Sequence, residues 1–145
     1  MATTTFLSNA TINITQGATT YDLSDQANSV SLNIGFDSLD ATAFGDAGRK
    51  YVKGLATVEV SMTLFLSYGG SGATSEVETA MAAIVGQGNT TLVISPSGTT
   101  EGPANPEYTI TNAMLATFTP INSTVGELST VELTFTGGTW ARDIV

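Results

Sequence analysis

Thr57-Val58-Glu59-Val60-Ser61-Met62-Thr63-Leu64-Phe65-Leu66 is the stretch on which the fold class turns. Val58, Val60, Met62, Leu64 and Leu66 share one side of a two-residue period, and Thr57, Glu59, Ser61 and Thr63 share the other. Successive side chains of a strand point to opposite faces, so this pattern predicts a strand with one face in a core. Phe65 interrupts the polar face near its end and hints at a contact there. Upstream, Val30, Leu32, Ile34 and Phe36 repeat the period, and shorter alternations occur at Thr11–Thr15 and Thr20–Leu23. Downstream, strands are predicted at 91–95, 108–118 and 129–136, the last with Val131, Leu133 and Phe135 on one face.

One helix interrupts this series. Ser75-Glu76-Val77-Glu78 has the spacing of a capping box, with Ser75 as N-cap and Glu78 returning the hydrogen bond. Val77, Ala80, Met81, Ile84 and Val85 then form an apolar stripe, and Gly86 supplies a left-handed stop. Pro96–Pro106 is rich in turn formers, and Met114–Leu128 runs into Pro120 and returns as a long hairpin with an irregular tip. The chain ends with Gly137-Gly138-Thr139-Trp140 and a short tail, to which no strand is assigned and which is expected to be mobile or ordered only by neighbours. The pattern predicts a mainly β chain: an antiparallel β-sandwich or partly closed barrel with one flanking α-helix at about 76–85. It forms a single domain over 1–145.

Composition narrows the function. The chain has 145 residues, enough to bury a core without staples, and neither cysteine nor histidine. Thiolate and imidazole metal sites, thiol nucleophiles and the His-dependent triads are therefore excluded, and no catalytic residue, cofactor or metal site is assigned. Charged residues make up 12% of the chain, against about 25% in an average soluble domain. So few charges fit a surface largely covered by other subunits, or an ordinary β protein whose exposed strand faces carry Thr and Ser instead of Lys and Glu. The formal net charge is −9, from 13 acids and 4 bases. A protein that grips DNA needs clustered Lys and Arg, so this one is expected to let DNA pass without specific binding. No stretch reaches the roughly 20 apolar residues of a membrane span, no basic residue precedes Arg49, and no signal-peptide pattern is expected.

Three of the four basic residues lie in Arg49-Lys50-Tyr51-Val52-Lys53, after Thr42-Ala43-Phe44-Gly45-Asp46-Ala47-Gly48. The segment reads as an exposed basic loop on an acidic body, suited to head-to-tail docking on another copy. It lacks the strand–loop–helix setting and Lys-Ser/Thr ending of a phosphate-binding loop, and Asp46 would repel phosphate. Asp37, Asp40 and Asp46 do not have the spacing of an EF-hand. Glu76 and Glu78 are two apart on a helix and diverge, so they are no catalytic pair. The Asn-x-Ser/Thr triplets at Asn9, Asn13, Asn89 and Asn122 are what a Thr-rich chain contains by chance.

Taken in order, several features resemble the tail-tube (major tail) proteins of long-tailed phages. They are Tyr21-Asp22-Leu23-Ser24 before a strand, Asp40-Ala41-Thr42-Ala43-Phe44-Gly45-Asp46 before the basic segment, and the strand Thr57–Leu66. After the short helix come Asn105-Pro106-Glu107-Tyr108-Thr109 and Gly126-Glu127-Leu128 before the strand Thr130–Phe135. The resemblance implies rings of six copies stacked into a hollow tube with an acidic lumen for DNA, and strands of neighbouring copies joined into an inner barrel. It implies a virion tail protein assembled in the host cytoplasm. Its partners would be copies of itself and other tail or head–tail proteins at the tube ends, with no membrane. Asp37–Lys53 occupies the position of the family's stacking loop, which makes Phe44, Asp46, Arg49, Lys50, Tyr51 and Lys53 the contact candidates. Two other readings fit the residues: a capsid decoration protein and a β-sandwich adhesin or binding module. Trp140 and the tyrosines are too dispersed for a sugar platform, and a hydrolase lacks its residues.

Overall fold

A computed structural model describes residues 10–68 and 77–145. Its elements run β1 (Thr11–Gln16), β2 (Thr19–Asp22), β3 (Ala27–Asp40), β4 (Tyr51–Phe65), α1 (Val77–Ile84), β5 (Thr90–Ser95), β6 (Glu107–Leu115), β7 (Thr130–Thr136) and β8 (Thr139–Asp143). All strand pairs are antiparallel, and the eight strands form one sheet in the order β2-β1-β5-β6-β7-β4-β3, with β8 also on β6. The mainly β fold with one helix is therefore as the sequence predicts. The sheet is not closed into a barrel: among the described residues, its end strands β2 and β3 do not pair with each other.

The alternation from Thr57 to Leu66 decides which face is inside. Val58, Val60, Met62 and Leu64 of β4 are buried, and Val131, Leu133 and Phe135 of β7 join them. Glu59↔Thr136 through Phe65↔Thr130 fixes their register. Ile12 and Ile14 of β1, Leu92 and Ile94 of β5 and Ile110 of β6 belong to the same core, so both halves of the sheet close on one interior. Val77, Ala80, Met81 and Ile84 place the helix stripe on that interior. The helix lies within the expected 76–85, but Ser75 and Glu76 of the expected capping box lie outside the described residues. Ser67 provides a cap from a distance: its hydroxyl accepts from Val77 N at 3.0 Å and its carbonyl from Glu78 N at 3.1 Å. That satisfies first-turn donors that have no partner within the helix.

Two expectations change. The tail is a strand: β8 pairs with β6 from Thr111↔Thr139 to Glu107↔Asp143. Chain after β7 can continue along β6 because Gly137 and Gly138, at φ +82° and +87°, turn it without leaving the sheet. At Gly138 a Cβ would overlap the Thr111 carbonyl oxygen, and the opposed Asn112 is itself left-handed at φ 63°. The long hairpin at 114–128 also shrinks. β6 and β7 pair only at Met114↔Thr136 and Leu115↔Phe135, because β6 ends at Leu115, while β4 pairs along the opposite edge of β7 from Thr130 to Thr136. The turn-rich 96–106 loop is organised around buried Asn105. Its Oδ1 accepts from Ser97 N at 2.9 Å and its Nδ2 donates to Thr99 O at 2.8 Å.

Candidate assembly surface

β3 and β4 are the longest strands, at 14 and 15 residues, and only part of each covers the core. Burial along β4 begins at Val58; from Tyr51 to Thr57 no residue is buried. The boundary coincides with a register shift, where Phe36 faces Ala56 but Ser38 faces Lys53, so two residues of β4 oppose Asp37. A bulge of this kind bends a strand and sharpens its twist. Gly54 permits it: a Cβ there would lie 2.9 Å from Asp37 Cβ and 3.1 Å from Asp37 O. Beyond the bulge the two strands continue as a free hairpin, here termed the arm, to the turn between Asp40 and Tyr51.

The arm collects every contact candidate named from the sequence. Phe44 stands at the tip and is fully exposed. Tyr51 is exposed opposite Asp40, and the ammonium of Lys53 lies 4.8 Å from the centre of the Phe36 ring. The tip itself is knit by short polar contacts. Arg49 Nη1 donates to Asp40 Oδ2 at 2.8 Å and Lys50 Nζ lies 2.6 Å from Asp46 Oδ1. Asp40 Oδ1 also accepts from Thr42 N at 3.0 Å, Asp46 Oδ2 from Ala43 N at 2.8 Å, and Thr42 Oγ1 from Lys50 N at 2.9 Å. Hydrogen bonds from Thr42, and then from Arg49, hold the Asp40 carboxyl below its ordinary value. The bond from Lys50, then that from Ala43, does the same for Asp46.

These pairs alter the electrostatic reading. Within the arm, Asp37, Asp40 and Asp46 cancel Arg49, Lys50 and Lys53, so the arm is neutral and the net −9 resides in the rest of the chain. What distinguishes the arm is apolar exposure. Phe36, Leu39, Phe44, Tyr51, Val52 and Leu55 are all exposed on it. Leu39, Val52 and Leu55 are not among the contact candidates that the sequence offers. Their signal is that strict alternation stops upstream of Thr57, leaving apolar side chains with no core to enter. A concentration of exposed apolar side chains on a projecting element marks an interaction surface.

No family model matches the sequence, and no curated protein does. Among solved structures, the chain is similar to the SPP1 tail tube, at 11% identity over 94% of this chain and 78% of that one, with a TM-score of 0.69. It is similar to a chain of the sheath/tube terminator of an extracellular contractile injection system (PVC) in its extended state. There the identity is 14% over 98% of each chain, with a TM-score of 0.65. It is also similar to a chain of the anti-feeding prophage baseplate, six-fold symmetrised, at 7% identity over 100% and 99%, with a TM-score of 0.61. At such identities the likeness is one of fold, and it spans nearly the whole chain. The protein has the fold found in chains of phage tail tubes and contractile injection systems.

Proposed function

We propose that this protein is a structural subunit of a phage-like tail tube, assembling with copies of itself into rings that stack along an axis. The observation that carries the reading is the arm: an exposed apolar hairpin on a fold otherwise found in tube-forming assemblies. Burying one large apolar side chain such as Phe44 stabilises a contact by about 1.5–3 kcal/mol. Repetition around a ring multiplies that gain. Phe44, Asp46, Arg49, Lys50, Tyr51 and Lys53 form the stacking element, with the internal ion pairs shaping the tip. A ring of six, strands shared between copies, and an acidic lumen through which DNA passes without specific binding complete the proposal. So do other tail or head–tail proteins as partners at the tube ends. No catalytic residue or cofactor enters it.

Negative-stain electron microscopy of the purified protein tests this directly. Rings or tubes with an axial hole are expected, and Phe44→Asp is expected to stop growth while leaving the fold unchanged by circular dichroism. Persistent monomers, or protein that binds only to preformed capsids, would replace the tube reading with that of a decoration protein.

A further inference from the structure

A second apolar surface lies at the far end of the same strand. Ile121, Val125 and Leu128 are exposed on the loop between β6 and β7. That loop is held in shape. Tyr68 Oη donates to Pro120 O at 2.7 Å, Asn122 Nδ2 donates to Thr130 O at 2.7 Å, and Glu127 N donates to Thr124 O at 3.1 Å. Leu66 N, just past the end of β4, donates to Ser129 O at 2.8 Å, which fixes the loop beyond Phe65. The arm tip adjoins Tyr51 at the other end. With 15 residues in β4 and about 3.3 Å per residue, the two surfaces are about 45 Å apart. They face opposite ends of the molecule.

We infer that the Pro120–Ser129 loop is the receiving surface for the arm of a second copy, with Phe44 seated against Ile121, Val125 and Leu128. The inference rests on the tube reading and gives it a direction. Charge favours this occupant. No Lys or Arg occurs between Lys53 and Arg142, so the loop end carries only acids, among them exposed Glu127 and Glu132. Two loop ends would repel each other, whereas the neutral arm approaches without like-charge repulsion and brings Arg49, whose side chain is 72% exposed, within reach of a second carboxylate. A contact between unlike patches at opposite ends is heterologous and does not close on itself, so each added ring presents the same free arm to the next. An arm-to-arm contact would be self-complementary and would stop at a pair.

The native chain has no cysteine, so an engineered pair reports without background. Ala43→Cys and Thr124→Cys flank the apolar contact at exposed positions and leave its side chains intact. Mild oxidation, or a short bismaleimide, applied to assembled double variant is expected to give a ladder of covalent multimers on a denaturing gel. Assembled double variant that yields only monomers overturns the inference, as does a single dimer band from A43C alone, which marks an arm-to-arm contact. In parallel, I121D/V125D/L128D is expected to raise the concentration needed for elongation at least about tenfold; unchanged tubes overturn the receiving surface while leaving the tube reading intact. Wild-type protein that forms no rings or tubes removes the tube reading itself.

Discussion

Asp46 and Asp40 show how a mostly exposed turn acquires a definite shape. Each carboxylate accepts a backbone N–H from its own turn and faces a cation, and each titrates below its ordinary value of 3.8. Because the folded values are lowered, the tip contacts persist throughout the neutral and mildly acidic range. They are lost only as pH falls below 3.8 and through the folded values. Carboxyl-carbon NMR titration should therefore give midpoints under 3.8 for both. Lys50→Ala should raise the Asp46 midpoint and leave Asp40 alone, while Arg49→Ala should raise Asp40, losing its 2.8 Å side-chain bond. Equal midpoints in wild type and K50A would remove the Lys50 pairing from the tip. The residues of this site were legible in the sequence as one cluster; their pairing was not. Asp40 and Arg49 are nine positions apart and meet only because Asp40 and Tyr51 are register partners. The sequence exhibits three cations among acids and glycines, and only the fold reveals that Arg49 and Lys50 are already paired with Asp40 and Asp46 while Lys53 lies over the Phe36 ring.

Strands whose one face is buried announced themselves through alternation, which is why β1, β5 and β7 emerged with nearly the observed bounds and β4 emerged from Thr57 onward, six residues short of its start at Tyr51. β8 did not, because every one of its residues is exposed and its order comes from pairing with β6 and from Tyr108 beside Trp140, ring centres 6.4 Å apart. Gly137-Gly138 reads in sequence as a terminator, yet it is the bend that carries one strand onward. That role makes Gly138 testable. A side chain there meets the Thr111 carbonyl, and φ of +87° disfavours any L residue. Gly138→Val should destabilise the fold by at least about 2 kcal/mol. Denaturant unfolding should show a lower midpoint and Trp140 fluorescence should shift to the red, as β8 separates from β6. A variant with the wild-type midpoint would mean that β8 contributes nothing to stability. The helix was legible from its stripe and the arm only in part, since the extension of β3 and β4 beyond the core has no buried face to impose a period.

The whole molecule is asymmetric in charge: an acidic body of −9 bears a neutral apolar arm. Two driving forces for assembly make opposite demands on salt. If the arm acted as a positive patch drawn to acidic surfaces, added salt would screen the attraction and weaken assembly. Because each tip cation is held by a carboxylate 2.6–2.8 Å away, little positive charge is left to attract. Exposed ion pairs of this kind contribute about 0–1 kcal/mol, less than one buried aromatic ring. The dominant long-range term is then repulsion between acidic bodies, which salt relieves: the screening length falls from about 10 Å at 0.1 M to about 3 Å at 1 M. Light scattering should accordingly show faster elongation as sodium chloride rises from roughly 0.05 M to roughly 0.5 M, with Phe44→Asp losing growth at every concentration. Elongation that slows with salt would return Arg49, Lys50 and Lys53 to the leading role, because only attraction between unlike charges weakens under screening.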